Sequence, residues 1–264
     1  MASLVTDQGI VHYETYGRGR PVLLLHGWLG SWALWRDTIE ILGREFKTYS
    51  LDFWGFGDSS PLEDNLSFSV DNFVELVYQF MDRLGIRRAP LIGHSMGGTV
   101  ALGVAIRHPE KVVKVGVAGS PIDGSSLNLL LKASGYQAVA RVFFVAPPLV
   151  KLFLRGYSYF MANDGRRMSR MIADDFSQVS VNSFFESIGT LRQTDLRPRL
   201  GDLKMPTLGV YGRKDIIVNP NQHRVLAEGV PHSKVYFFQN SGHFPMLDEP
   251  EAFHKALRDF LHNG

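Results

Sequence analysis

Short apolar runs alternate along most of the chain with longer segments whose apolar residues recur at helical spacing. Pro21 to Leu25 is a continuous apolar run, as expected of a buried central strand, and Ile10 to Tyr16 alternates between apolar and polar residues like a strand. Val70 to Leu84 carries apolar residues on one face of a helix. This alternation predicts an α/β protein with a mainly parallel, doubly wound sheet covered by helices on both faces.

The same criteria predict the remaining elements of the sheet and its covering layers. Further strands are predicted at Phe46 to Asp52, Ala89 to Gly93, Val112 to Val117, Thr207 to Tyr211 and Lys234 to Phe238. Further helices are predicted at Trp32 to Gly43, Met96 to His108 and Glu251 to Leu261.

The alternation lapses in residues 121–199, which are apolar and helical in pattern. We expect this segment to be a helical cap inserted before the last two strands, with residues 1–120 and 200–264 as the core domain. Such a cap would lie over the carboxyl edge of the sheet, where ligands of this fold class bind. Within it, Pro147-Pro148 predicts a break between two short helices, and part of the apolar stretch 139–160 is expected to line a pocket.

The amino-acid composition excludes only a few classes of function. Of 264 residues, 28 are Lys or Arg and 26 are Asp or Glu, so no nucleic-acid partner is expected. Cysteine is absent, which excludes disulfides and thiolate nucleophiles. The N-terminus has no signal-peptide pattern, and no apolar stretch is long enough to span a bilayer. These features predict a soluble, cytoplasmic protein; they do not predict its oligomeric state.

The strongest chemical signal is Gly93-His-Ser95-Met-Gly97. It follows a predicted strand and precedes a predicted helix, which is the setting of a Gly-x-Ser-x-Gly nucleophile turn. In that turn the serine is strained so that its hydroxyl projects above the sheet, and the glycines remove Cβ atoms that would block it. Ser95 is therefore the candidate nucleophile.

A serine hydroxyl needs a base within hydrogen-bond reach and a third group to orient that base. His243 lies in the loop after the last predicted strand, and Asp215 follows the strand before it. The order Ser95, Asp215, His243 is the order of the catalytic triad in this fold class. Asp123, which follows the strand before the cap, is the alternative position for the acid.

With these segments the chain resembles the α/β-hydrolase family, whose pattern also includes His26-Gly27-Trp28 and the turn from Asp52 to Ser59. The resemblance covers nearly the whole chain except the cap. It implies that the backbone N–H groups of Trp28 and Met96 form an oxyanion hole. It also implies that His26 is structural and takes no part in proton transfer.

No cofactor or metal is expected. The Gly55-x-Gly57 turn has Ser60 where a dinucleotide-binding motif needs its third glycine. Glu251 and His254 have the spacing of a bundle-type metal motif, but the second such motif is missing from the sequence, and a solvated helix face accounts for the pair.

The resemblance and the predicted triad favour a serine carboxylesterase that acts on esters of small to medium acyl groups. Serine at the nucleophile position disfavours the haloalkane dehalogenase and epoxide hydrolase branches, which carry aspartate there. A carbon–carbon bond hydrolase of ring-cleavage products and a cofactor-free perhydrolase remain alternatives. A small-molecule receptor on the same fold is the alternative from outside the enzymes. The expected partner is a small-molecule apolar acyl substrate, bound in a mostly apolar pocket.

Overall fold

A computed structural model of the chain describes residues 2–62, 66–134, 152–153 and 155–263. Its centre is a nine-stranded sheet. The strands are β1 (Ala2–Val5), β2 (Gly9–Gly17), β3 (Pro21–Leu25), β4 (Lys47–Leu51), β5 (Ser60–Pro61), β6 (Ala89–His94), β7 (Val112–Ala118), β8 (Thr207–Gly212) and β9 (Lys234–Phe238).

The described helices cover the sheet and fill the segment before its last two strands. They are α1 (Arg36–Leu42), α2 (Val70–Arg83), α3 (Met96–Arg107), α4 (Leu129–Ser134), α5 (Gly165–Phe176), α6 (Val181–Gln193), α7 (Gln222–Gly229), α8 (Pro245–Asp248) and α9 (Pro250–His262). Among the residues described, none of these helices is long and apolar enough to cross a membrane.

The sheet is parallel over the six strands β4-β3-β6-β7-β8-β9. The amino-terminal strands are antiparallel: β1 and β5 pair with β2, and β2 pairs with β4. The predicted fold class, a mainly parallel doubly wound sheet, is confirmed. Because all six parallel strands run the same way, their carboxyl ends meet at one edge, and the loops that leave them lie close together.

Two buried apolar clusters lie on the two faces of this sheet. One contains Phe73 and Val77 of α2 with Val104 of α3; the other contains Ile39 of α1 with Leu257 of α9. The inward-facing residues of each helix recur at the spacing of one helical face, which is why the sequence pattern identified these helices. The central strands β3, β6 and β8 are buried along almost their whole length, as their continuous apolar runs require.

The described part of the segment 121–199 contains α4, α5 and α6. The bounds of a cap domain remain a prediction. Residues 135–151 and 154 lie outside the described residues, and so does the predicted break at Pro147-Pro148.

A buried lysine anchors the last helix to the middle of the sheet. Lys114 of β7 is 3% exposed, and its Nζ donates hydrogen bonds to the backbone oxygens of Phe260 (2.7 Å), Leu261 (3.0 Å) and Asn263 (3.2 Å). The last carbonyl groups of a helix have no partner within it, and they carry the negative end of its dipole. One ammonium group therefore satisfies the end of α9, while burial lowers the pKa of that ammonium.

Candidate active site

Ser95 occupies a strained turn between β6 and α3. Its φ is +52° and its ψ is −123°, a backbone conformation that residues with a Cβ rarely adopt. A Cβ at Gly93 would lie 2.2 Å from the oxygen of Gly97, and one at Gly97 would lie 2.4 Å from the oxygen of Leu25. Any side chain at either glycine would clash with the backbone that forms the turn. The turn therefore needs both glycines, as the sequence pattern predicted.

His243 and Asp215 are in direct contact. Nδ1 of His243 lies 2.8 Å from Oδ2 of Asp215, and both side chains are almost fully buried. The other carboxylate oxygen, Oδ1, accepts hydrogen bonds from the backbone N–H groups of Ile217 (2.8 Å) and Val218 (3.0 Å). Three donors thus fix the carboxylate. Because Nδ1 donates to it, Nε2 of His243 is left as the atom that can take a proton.

The alternative acid, Asp123, is bonded elsewhere. Its Oδ2 accepts a hydrogen bond from Nε2 of Gln222 at 3.0 Å, and its Oδ1 accepts one from the backbone N–H of Ser125 at 3.0 Å. The structure therefore brings His243 together with Asp215 and keeps Asp123 in a local network of its own.

His94, which precedes Ser95, contacts the loop that carries His243. Its Nε2 donates to the backbone oxygen of His243 at 2.9 Å, and its ring stacks on Phe244 with 4.6 Å between ring centroids. Burial, assisted by the neighbouring His243, lowers the pKa of His94 well below its ordinary value. A neutral His94 thus holds the loop. The sequence reasoning missed this residue, although its place in the Gly-His-Ser motif could have drawn attention to it.

The loop after β3 passes directly beside Ser95. A Cβ at Gly27 would lie 2.9 Å from Cβ of Ser95. Buried His26 donates from Nδ1 to the oxygen of Gly27 at 2.7 Å and accepts at Nε2 from the N–H of Phe53 at 3.0 Å, so its ring joins this loop to the one after β4. Burial lowers the pKa of His26, which keeps the ring neutral.

The two predicted oxyanion donors belong to the two segments that meet at Ser95. Trp28 follows Gly27, and its indole Nε1 donates to the backbone oxygen of Phe184 in α6 at 2.9 Å. Met96 is the first residue of α3. Within the described part of the chain, no group accepts a hydrogen bond from the backbone N–H of Trp28 or of Met96. Both donors are therefore free for a ligand.

A pocket lined mainly by apolar side chains contains Ser95 and His243. Its walls come from the core and from the segment before β8, and they include Leu34, Met168, Met171, Ile172 and Phe184. No lysine or arginine lines it among the residues described. Such a pocket suits an uncharged apolar group bound beside the serine.

One carboxyl group interrupts the apolar lining. Asp175 of α5 is 8% exposed, and its Oδ1 accepts a hydrogen bond from Oγ of Ser31 at 2.7 Å. Burial raises the pKa of Asp175 to about 7, and the negative charges of Asp52 and Asp174 act in the same direction. The sequence pattern did not single out this residue.

Two groups of potential metal ligands contain side chains that are engaged in hydrogen bonds within the protein. His12, Asp52 and Asp58 each bring one ligand atom within 4.8 Å of the others. The carboxylate of Asp52, however, accepts hydrogen bonds from Nδ1 of His12 (2.8 Å) and from the backbone N–H groups of Trp32 (2.6 Å) and Asp58 (3.1 Å), which organise the turn that follows β4. Of the pair expected on a solvated helix face, Glu251 is exposed as expected, but the expectation is wrong for His254, which is 6% exposed and bonds to Thr38.

Comparison with known proteins gives consistent results. A family model described as the alpha/beta hydrolase fold matches residues 20–250. The chain is 29% identical over 271 residues to a pimeloyl-acyl-carrier-protein methyl ester esterase of Vibrio vulnificus, covering 95% of this chain and 97% of the relative. It is 27% identical over 265 residues to a 2-hydroxy-6-oxo-6-phenylhexa-2,4-dienoate hydrolase of Burkholderia cepacia, covering 96% and 92%.

Among solved structures, an enol-lactonase from Burkholderia xenovorans LB400 superposes with a TM-score of 0.85 at 21% identity, over 98% of this chain and 99% of that one. At this identity the similarity establishes the fold alone. The comparisons thus establish the fold, whereas the candidate triad rests on the contact between Asp215 and His243 and on the pocket that His243 shares with Ser95.

Proposed function

The chain belongs to the α/β-hydrolase fold family and is an enzyme acting on ester bonds, and from this premise we propose that it hydrolyses carboxylic esters of small to medium acyl groups through an acyl-enzyme on Ser95. One observation carries the proposal: the strained Ser95 lines the same pocket as His243, whose Nδ1 is held by Asp215 at 2.8 Å. A nucleophile, a base and an orienting carboxylate are the groups that acyl transfer requires.

In this mechanism Nε2 of His243 takes the hydroxyl proton of Ser95 as Oγ attacks the ester carbonyl carbon. The carbonyl oxygen becomes an oxyanion, which the backbone N–H groups of Trp28 and Met96 stabilise. The alkoxide leaving group departs with the proton from His243. Water then gives a proton to His243 and attacks the acyl-enzyme, and Ser95 recovers its proton as the carboxylic acid is released.

Two observations support the assignment of the oxyanion donors: the position of Met96 at the start of a helix, and the lack of an acceptor for either backbone N–H group among the described residues. Met96 opens a helix of 12 residues, so its N–H lies at the positive end of the helix dipole. Removing a single oxyanion donor in a well-studied protease lowers the rate about 10²–10³-fold. His26 supports the loop of Trp28 through its bond to the oxygen of Gly27 and needs no role in proton transfer.

The substrate class follows from the lining of the pocket. Its apolar walls and the lack of any lysine or arginine among its described lining residues favour an acyl group without negative charge. The Burkholderia cepacia relative is named for a dienoate, which carries a carboxylate, and its 27% identity makes hydrolysis of such an acid the second candidate function. A buried carboxylate without a cationic partner would be costly to desolvate here, so the ester hydrolase is preferred.

We also propose that residues 121–199 act as a cap and residues 1–120 and 200–264 as the core. Helices α5 and α6 contribute side chains to the pocket, and the indole of Trp28 bonds to the backbone of α6. The cap thereby supplies one wall of the pocket, while the core supplies the reacting groups.

A panel of p-nitrophenyl esters from acetyl to dodecanoyl tests the proposal, with 2-hydroxy-6-oxo-6-phenylhexa-2,4-dienoate measured in parallel. We expect ester hydrolysis to exceed hydrolysis of the dienoate, to rise with acyl length until the pocket is full, and to fall by several orders of magnitude in Ser95→Ala. Because the triad acts as a unit, His243→Ala should lose about as much and the double variant little more. Preferred turnover of the dienoate would support the second candidate, and release of peracid with added hydrogen peroxide would indicate a perhydrolase.

A further inference from the structure

The face of α5 that lines the pocket carries one acidic residue among apolar ones. Met168, Met171, Ile172 and Asp175 all line the pocket, at positions i, i+3, i+4 and i+7 of a single helical stripe. Three of the four are apolar, as a stripe facing an apolar pocket requires. The fourth position places a carboxyl group where a leucine or methionine would be expected.

This carboxyl group is only partly satisfied by the protein. Its Oδ1 accepts the hydrogen bond from Ser31, whereas no described residue donates a hydrogen bond to its Oδ2. Among the described residues, Oδ2 of Asp175 is not one of the polar atoms that are fully buried without a hydrogen-bond partner. Asp175 lines the pocket. The second oxygen is therefore available to a molecule in the pocket.

No positive charge among the described residues compensates for Asp175. The charged groups that act on it are Asp52 and Asp174, both acidic, and they oppose its ionisation as burial does. Of the other pocket residues, His243 already shares its Nδ1 proton with Asp215. Buried carboxylates are ordinarily paired with a cation or a set of donors, so the missing partner is expected to arrive with the ligand.

A purely structural role would not require this residue type. The bond to Ser31 links α5 to the loop that carries Trp28, but an asparagine would accept the same hydrogen bond without bringing a charge into the pocket. The carboxylate adds one property that asparagine lacks, which is strong attraction for a cationic or strongly polarised donor.

We propose that Asp175 is a specificity-determining residue that accepts a hydrogen bond from a donor group, a hydroxyl or an ammonium, on an otherwise apolar ester substrate. The inference rests on the proposed function, because it assumes that the pocket beside Ser95 holds the substrate. The apolar walls then bind the carbon chain, and Asp175 selects chains that carry a donor at one position. Plain alkyl esters would be hydrolysed but would not be the preferred substrates.

The test compares matched esters that differ only in the distal group: methyl hexanoate, methyl 6-hydroxyhexanoate, methyl 6-aminohexanoate, and isomers with the donor moved along the chain. We expect the wild type to hydrolyse the best donor-bearing ester with a kcat/KM about 10- to 100-fold above that of the plain ester, the range of one charge-assisted hydrogen bond. Asp175→Leu should abolish the preference, which is measured as the ratio of kcat/KM between the donor-bearing and the plain ester.

Asp175→Asn tests the second oxygen and the charge together. Its amide oxygen can replace Oδ1 and keep the hydrogen bond from Ser31, and its amide nitrogen then replaces Oδ2 and cannot accept, so the preference for a donor-bearing ester should be lost. Ser31→Ala is the matched control, since it removes the bond between the loop and α5 but leaves the carboxylate, and it should retain the preference. Thermal melts of all variants verify folding.

The outcomes separate this inference from the proposed function. If the wild type and Asp175→Leu hydrolyse plain esters and show the same ratio for donor-bearing esters, the inference is wrong and the function stands. If Ser31→Ala abolishes the preference as fully as Asp175→Leu, the role is structural and the inference is also wrong. If the wild type hydrolyses no ester, both proposals fall.

Discussion

The imidazole of His94 donates a hydrogen bond from Nε2 to the backbone oxygen of His243 at 2.9 Å, although 149 residues separate the two in sequence. The residue before the candidate nucleophile thus holds the loop that carries the candidate base. The oxygen of His243 is buried there, and Nε2 is the donor that satisfies it. Loss of this bond is expected to affect both stability and the position of the base.

Substitution of His94 tests this relationship. His94→Gln can keep an N–H near the position of Nε2, whereas His94→Met has similar length and no donor. We expect His94→Met to be less stable than His94→Gln by about 1–3 kcal/mol, the cost of leaving a buried acceptor unsatisfied, and to have the lower kcat. Urea denaturation and ester hydrolysis measure the two effects. Equal stability of the two variants would show that the bond contributes nothing.

The choice between the two candidate acids is tested by Asp215→Asn and Asp123→Asn. Asp215→Asn would stabilise the wrong tautomer of His243, and in a serine protease the corresponding change lowers kcat about 10⁴-fold. Asp123→Asn preserves the acceptor for Ser125 and lies in a separate network, so its kcat should remain close to that of the wild type. An equal or reversed ranking in steady-state kinetics would transfer the role to Asp123.

Shortening an apolar side chain of α5 that lines the pocket should change the preferred acyl length of the substrate. Met171 is half-buried and lines the pocket, so Met171→Ala makes room for additional methylene groups, each contributing up to about 0.8 kcal/mol of binding. We expect the optimum of the ester panel to move to longer chains. Leu129→Ala is the control, because Leu129 is 83% exposed and does not line the pocket. An unchanged optimum in Met171→Ala would mean that the acyl chain binds elsewhere.

The raised pKa of Asp175 makes stability depend on pH. The folded protein binds this proton up to about pH 7, whereas the unfolded chain releases it near pH 4, so ionisation removes stability as the pH rises between these values. Asp175→Asn removes the effect while keeping the acceptor for Ser31. We expect its gain in unfolding free energy over the wild type to be largest near pH 8, at most about 4 kcal/mol, and about a third of that near pH 5.

Chemical denaturation at the two pH values measures this gain. Glu228→Gln provides the control, because Glu228 is an exposed carboxyl group that is not among those acting on Asp175. A gain of equal size at both pH values would show that Asp175 titrates like an ordinary exposed carboxyl group.

The parts of the fold that follow from local pattern could be predicted from the sequence. Strands β3 and β9 have their predicted bounds, because each contains a run of at least four apolar or aromatic residues between polar segments. The predicted helix Trp32 to Gly43 proves to be a 3₁₀ turn at Trp32–Trp35 followed by α1, and the short edge strand β1 was missed. Four residues at a sheet edge carry too little periodicity to be detected.

The contact between Asp215 and His243 was foreseeable because both residues follow parallel strands, whose carboxyl ends meet at one edge. The contacts of Asp175 and His94 could not be predicted in this way. The bond of Asp175 to Ser31 spans 144 residues and depends on how α5 packs over the loop after β3. The spacing of residues within one helix or strand does not determine how that element packs against a distant loop. These contacts are therefore visible only in the folded structure.

The buried amine of Lys114 allows the detachment of the last helix from the sheet to be measured by chemical labelling. Lysine-directed reagents need a free, solvated amine, whereas Nζ of Lys114 is occupied by three carbonyl oxygens at the end of α9. Acylation or carbamylation at this position therefore requires α9 to detach from β7, while the exposed Lys255 on the same helix reacts without any opening. The ratio of label at the two lysines, followed by mass spectrometry, would report how often the final helix leaves the sheet under native conditions.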